Sequence, residues 1–264
     1  MKRKAQWSFR MVEEKRNSFS AYFITLTYAD KNLPYGEKPC INKNDHFEFI
    51  KNLKEYENPK VLRTREMVSS EEIERIRQGI KEDGRLKYYG VSEYGDLKGR
   101  PHWHYILFNV RDINNINLAW NKGIVQIDPD VNVNNIDYVL KYMLKVQSDR
   151  CPDDNQKEVS FMSKGIGVDV MDAEFIKYIS TDQGNQVLNS RGNKIPLPRY
   201  YRKKCLSQEI RERKNSYISK VICDQEIRED QVWIQQGLEP GKMRLQGKEN
   251  RNNLLKSRVK RNKV

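Results

Sequence analysis

The sequence predicts an α+β fold, a central antiparallel sheet with helices packed against one side, and three observations carry it. Ala21–Tyr28 is a β-branched and aromatic run of strand character. Lys87–Gly95 and Pro101–Phe108 are two further strand-like runs, joined by turn residues at the spacing of a hairpin. Between and after these runs the apolar spacing changes to a helical period, giving the order strand, helix, strand, strand, helix, strand, helix. That order is close to a ferredoxin-like split β-α-β arrangement.

Ala29-Asp30 stops the first strand, which reads as central. Asn44 then caps a helix to about Tyr56, with Phe47, Ile50 and Leu53 on one face and His46 as an ordinary surface residue of the first turn. Ser69-Ser70-Glu71-Glu72 has the pattern of a capping box for a second, highly charged helix to about Glu82, closed by Asp83-Gly84. Asp96-Leu97-Lys98-Gly99 makes the hairpin turn. Ile113–Trp120 reads as a short helix, Gly123–Asp128 alternates like a strand, and Pro129-Asp130 breaks it. From Asn134 to Val146 the pattern is helical again, placing Tyr138, Tyr142 and Lys145 close to one face.

Past about Arg150 glycines punctuate the chain, and Ile195-Pro196-Leu197-Pro198 marks an extended stretch. This divides the sequence into a domain over residues 1–150 and an extension over 151–264, whose basic tail from about residue 245 reads as flexible. With 264 residues and a net charge of +13, the chain favours a polyanionic partner, and nucleic acid is the usual one. In Arg199-Tyr200-Tyr201-Arg202-Lys203-Lys204, aromatics alternate with cations as single-stranded nucleic acid favours, which makes Arg199, Tyr200, Arg202, Lys203 and Lys204 candidate DNA contacts; a solvated basic loop accounts for them equally well. No apolar stretch reaches the roughly 20 residues that span a bilayer, and Met1–Trp7 lacks the apolar core of a signal peptide. Cys40, Cys151, Cys205 and Cys223 form no C-x-x-C pair, so neither a zinc ribbon nor a redox motif is indicated. An even count permits disulfides, but reduced thiols suit a basic chain that is not secreted.

Two constellations carry chemistry. His102 and His104 lie two apart on a strand, so both imidazoles project from one face while Trp103 points the other way. Glu93, on the partner strand of the hairpin, falls opposite them near its mouth. Two imidazoles and a carboxylate suit Mn²⁺ or Mg²⁺, with phosphate filling the open positions; half-buried strand filler is the plainer alternative. Tyr138 and Tyr142 lie one helical turn apart, each with a lysine three residues on, Lys141 and Lys145. A neighbouring ammonium stabilises a phenolate and the charge that develops on phosphate, although tyrosines four apart on an amphipathic helix more often simply pack.

Taken in order, Phe23-Ile24-Thr25-Leu26-Thr27-Tyr28, Glu93-Tyr94-Gly95, Gly99-Arg100-Pro101-His102-Trp103-His104 and Tyr138-Val139-Leu140-Lys141-Tyr142 resemble the motifs of the HUH endonucleases. The resemblance is strongest to the rolling-circle replication initiators of microviruses, in particular the gokushovirus type. It covers roughly residues 20–146, and Phe161–Gly167 and Leu197–Tyr201 look like later stretches of that family. It implies an RRM-like variant of the ferredoxin-like sheet. It further implies metal ligands at His102, His104 and Glu93, paired nucleophiles at Tyr138 and Tyr142 with Tyr138 attacking first, and assistance from Lys141 and Lys145.

The implied activity is nicking of single-stranded or extruded origin DNA, leaving a 5′-phosphotyrosyl bond and a free 3′-hydroxyl, followed by rejoining of the released circle. Implied partners are origin DNA, a host helicase and a DNA polymerase, in the host bacterial cytoplasm. Two features depart from the pattern: a cysteine-rich stretch before the first strand is absent, and residues 57–85 are longer than the motifs require, reading as a charged, exposed insertion. The competing readings are a ferredoxin-like nucleic-acid-binding module without chemistry, and a plasmid relaxase or single-strand transposase sharing the same chemistry.

Overall fold

Strand β1 (Ala21–Tyr28) serves two cores at once, because its alternate residues face opposite sides of the sheet. Ile24, Leu26 and Tyr28 are buried on one side, while Phe23, Thr25 and Thr27 face the other. In the computed structural model, which describes residues 2–34, 39–58, 71, 84–95, 99–142 and 157–261, β1 pairs with β3 (Pro101–Phe108) and β4 (Gly123–Asp128). β3 pairs in turn with β2 (Lys87–Tyr94), and β2 with the short β5 (Ser160–Met162). The result is a five-stranded antiparallel sheet in the order β4-β1-β3-β2-β5. Its first four members have the ferredoxin-like order, and the bounds of β1 and β4 are those the sequence predicts.

Helices cover both faces of this sheet, not one. On the first face lie α2 (Lys43–Tyr56) and α3 (Asn114–Ala119), which pack with Ile24, Leu26, Trp103, Tyr105 and Leu107. On the second lie α1 (Lys2–Arg16) and α4 (Val133–Lys141), whose Met11, Ile136, Val139 and Leu140 meet Tyr89, Val91, Ile106 and Phe108. α1 is the addition that sequence periodicity misses, because its buried face carries Arg10, Glu13 and Glu14 as well as Phe9 and Met11. Glu14 receives Lys87 Nζ at 2.7 Å and the Gly167 amide at 2.7 Å, and Arg10 Nε donates to the Ile166 carbonyl at 3.0 Å. A charged helix face is thus satisfied internally, as burial requires.

α2 begins earlier than expected, with the Asn42 side chain accepting from the Asn44 amide. Its inner stripe is Asp45, His46, Phe49, Ile50 and Leu53. Phe47, assigned to that face from sequence, is 56% exposed instead. His46 corrects the surface reading: it is 1% exposed, stacks on Phe161 at 4.2 Å between centroids, and its Nδ1 lies 2.9 Å from the Tyr105 hydroxyl. Burial holds its pKa down to about 4, so the ring is neutral and behaves as one more aromatic plate.

The expected helix over Ser69–Glu82, most of the insertion 57–85, the turn residues Asp96–Lys98, Lys145 and the end of the helix predicted to Val146 lie outside the described residues. Residues 157–205 fold into the same compact unit as the sheet, Met1–Cys205, through β5, α5 (Ala173–Ser180), a β6–β7 hairpin (Gln186–Leu188, Lys194–Pro196) and α6 (Arg199–Cys205). A second unit, Leu206–Val264, contains α7 (Gln208–Gln235) and α8 (Pro240–Arg261), so the basic tail is helical as far as Arg261. Ser207 caps α7, and Gly237 ends it at φ 72°, a left-handed turn that lets the Leu238 amide reach the Trp233 carbonyl. Cys40 is disulfide-bonded whereas Cys205 and Cys223 are free, which corrects the expectation of wholly reduced cysteines. Among the described residues no helix is long and apolar enough to cross a membrane.

Gly90 shows how tightly the sheet centre is built. It pairs with Tyr105, and a Cβ there would meet the tyrosine ring at 2.4 Å. Gly90→Ala is expected to destabilise the fold by about 1–3 kcal/mol through overpacking, read as a lower urea midpoint with an unchanged slope.

Candidate active site

The site assembles on the second face of the sheet, where register does most of the positioning. β3 places His102 opposite Thr27 of β1 and Glu93 of β2, and His104 opposite Thr25 and Val91. Trp103 turns into the other core, where its indole N–H donates to the Tyr28 hydroxyl at 3.1 Å. Tyr28 in turn donates to Asp45 at 2.8 Å, and Lys122 Nζ lies 3.2 Å from the same carboxylate. The back of the histidine strand is therefore fixed by a buried polar chain, with Tyr28 held protonated by burial and by Asp45.

The two threonines do what the sequence reading did not foresee. Thr27 Oγ1 lies 3.0 Å from His102 Nδ1, and Thr25 Oγ1 lies 3.0 Å from His104 Nδ1. Each ring is thereby oriented with Nε2 directed away from β1. Their signal was present in the alternation Thr25-Leu26-Thr27, which sets both hydroxyls on the histidine face. His104 Nε2 is 3.0 Å from Glu93 Oε2. At His102, burial and the neighbouring His104 lower the pKa, so the imidazole is neutral. A Cβ on Gly95 would stand 3.2 Å from His102 Nε2, so a residue without a side chain keeps that nitrogen accessible.

α4 delivers the tyrosines. Asn132 and Asn135 form a reciprocal capping box at its N-terminus. Ile136, Val139 and Leu140 bury its apolar stripe, which turns Tyr138 and Tyr142 toward the histidines. The Tyr138 hydroxyl donates to Glu93 Oε2 at 3.3 Å, and its ring meets His104 edge-on at 5.4 Å. Tyr142 stacks on His104 at 6.0 Å and lies 5.3 Å from Tyr138. Tyr138 is 40% exposed; Tyr142 is half-buried, and burial, with hydrogen bonds to Glu93 and Tyr138, raises its pKa steeply.

Five of the residues singled out from sequence are therefore together: Glu93, His102, His104, Tyr138 and Tyr142. Lys141 is not drawn in; it is exposed and makes no ion pair among the described residues. Of the candidate DNA contacts, all on α6, Arg199, Lys203 and Lys204 are exposed and Arg202 is half-buried. Tyr200 is committed elsewhere, its ring lying 3.9 Å from the Arg10 guanidinium in a cation–π contact.

The donor set suits a hard divalent cation in its chemistry. A threonine hydroxyl both donates and accepts, so it supports His104 with a proton on Nε2 for Glu93, or with Nε2 free for a metal. Among the described residues, however, no group of three or more His, Cys, Asp or Glu side chains is gathered into a metal cage. Cation binding there requires Glu93 to give up its hydrogen bond to His104.

Residues 21–147 match the family model of the replication-associated protein ORF2 group. The chain is 30% identical over 112 residues to replication-associated protein ORF2 of Spiroplasma virus 4, covering 40% of this chain and 28% of that protein. It is 26% identical over 199 residues to replication-associated protein VP4 of Bdellovibrio phage phiMH2K, covering 68% and 56%. With replication-associated protein ORF4 of Chlamydia phage 1 it shares 28% identity over 144 residues, 45% and 35% of the two chains. The matches thus span from about a quarter to just over half of these relatives' lengths. No solved structure matches the chain.

Proposed function

We propose, taking as premise the similarity of residues 21–147 to the replication-associated protein ORF2 family, that this protein initiates rolling-circle replication by cutting single-stranded origin DNA with Tyr138. The observation that carries the reading is the Tyr138 hydroxyl donating to a carboxylate that is itself bound to His104. A phenol with a reference pKa of about 10 is a weak nucleophile, and it needs a base at the moment of attack. Glu93 is in place for that role. Tyr138 Oη attacks phosphorus, the bond from phosphorus to the 3′-oxygen breaks, the phenolic proton passes to Glu93, and the leaving oxygen takes a proton from water. The products are a 5′-phosphotyrosyl bond and a free 3′-hydroxyl.

Glu93, His102 and His104 are the residues to hold Mg²⁺ or Mn²⁺, which when bound supplies positive charge to the phosphoryl oxygens. Tyr142, more deeply placed and harder to ionise, is the second nucleophile. Synthesis from the 3′-hydroxyl falls to a host polymerase, and unwinding to a host helicase, since the sequence carries no phosphate-binding glycine loop.

The test is incubation with end-labelled single-stranded DNA of the cognate genome and Mn²⁺, followed by a denaturing gel. A shifted band that protease removes is expected; its absence with every divalent cation tried would overturn the reading in favour of a binding module. A second expectation concerns the threonines. Thr25→Val leaves His104 without its Nδ1 partner, so Mn²⁺ affinity in calorimetric titration should fall about 10- to 100-fold. Unchanged affinity would remove the threonine from the ligand support.

A further inference from the structure

Beside Tyr138 the second sheet face opens into a cavity of about 400 Å³ lined by Phe23, Thr25, His104, Gln126, Asp128, Asn132, Asn134, Asn135 and Tyr138. Its volume lies in the range of small-ligand sites, and its lining is unusually rich in carboxamides. Two of these are committed to the fold: Asn132 and Asn135 close the capping box, and Asn135 Nδ2 also donates to Asp128 Oδ2 at 3.3 Å. Gln126 and Asn134 are exposed, and their side chains make no hydrogen bond among the described residues. Phe23, stacked on His104 at 6.0 Å and edge-on to Tyr138 at 5.9 Å, forms an aromatic wall.

We propose that this cavity holds the nucleobase next to the cut phosphate, and that Gln126, Asn134 and Asp128 read it. The proposal rests on the function proposed above. Asp128 lines the cavity with a carboxylate, so a phosphate is repelled from it and a neutral, hydrogen-bonding group is favoured. A carboxamide offers a donor beside an acceptor, the pairing used to read base edges. A carboxylate accepts only, and so prefers a base that presents an exocyclic amine. Adenine, cytosine and guanine carry one and thymine does not, so the cavity selects against thymine. Because Tyr138 and His104 belong to the same lining, the base so read is adjacent to the attacked phosphate, not remote from it.

A pool of single-stranded oligonucleotides of random sequence tests this in two arms. In the first, protein and Mn²⁺ are added, and the DNA left covalently attached is sequenced. In the second, the Tyr138→Phe/Tyr142→Phe protein captures DNA on a filter without cutting, and the retained strands are sequenced. The expected result is about tenfold depletion of thymine at one position beside the attachment point, abolished by Gln126→Ala/Asn134→Ala and relaxed by Asp128→Asn. Thymine at its input frequency at every flanking position, or depletion that the double variant retains, overturns the proposal. Selective capture that the double variant loses, with no covalent product, leaves the cavity assignment standing and removes the nuclease reading. Covalent product with unselective sequence does the reverse.

Discussion

Tyr138→Phe is expected to abolish the protease-sensitive DNA adduct on a first encounter with origin DNA, a loss of at least about 10³-fold. The substitution removes one oxygen and keeps the ring, so the edge-on contacts to His104 and Phe23 persist. Stability and DNA binding should therefore stay near those of the parent protein. Tyr142→Phe should behave differently. Its hydroxyl is the more buried and the harder to ionise, so first-round cutting continues while release of closed circles over several rounds falls. The two variants are separated by counting adducts per protein in a single turnover and circles per protein at long times. Full multi-round circle release by either single variant would sink the division of labour between the tyrosines, and undiminished adduct formation by Tyr138→Phe would displace it as the first nucleophile.

The second large effect is at the histidines. His102→Ala or His104→Ala is expected to reduce nicking to background while affinity for single-stranded DNA changes by less than about threefold, since backbone charge contacts dominate affinity. With a net charge of +13, binding should weaken steeply with salt in the parent and in both variants alike. Nicking and anisotropy measured on the same preparations separate the two quantities. If binding collapses with nicking, the histidines serve the nucleic-acid surface and not the chemistry.

Much of this site was legible in the amino-acid string because strand geometry is strict. A period of two decides that His102 and His104 share a face and that Trp103 does not. A hairpin with one turn decides that Glu93 comes opposite. The helix of Tyr138 and Tyr142 was legible as a helix, but which way it faced depended on the burial of Ile136, Val139 and Leu140 against a distant sheet face. Other parts were hidden for definite reasons. α1 escaped because Arg10 and Glu14 are inside, satisfied by Ile166 and Lys87 from far along the chain. His46 looked like a surface residue because a lone histidine in a polar first turn carries no sign of the aromatic stack formed by Phe161 and Tyr105. The apolar stripe of α2 was misjudged at Phe47 for a related reason: its neighbours on the sheet, not its spacing, choose the inward face. The cavity carboxamides come from a strand and a helix start that no local pattern connects.

The threonine–histidine pairs tie the chemistry to a single alignment of two strands. Sliding β1 by one residue against β3 would bring Ile24 and Leu26 beside the imidazoles and send both hydroxyls into the hydrocarbon of the opposite layer. Correct alignment is thus rewarded twice, once by the greasy interior and once by the reactive groups, and a near-miss fold would be both unstable and inert. Substitutions that loosen this strand junction should silence the protein well before they melt it.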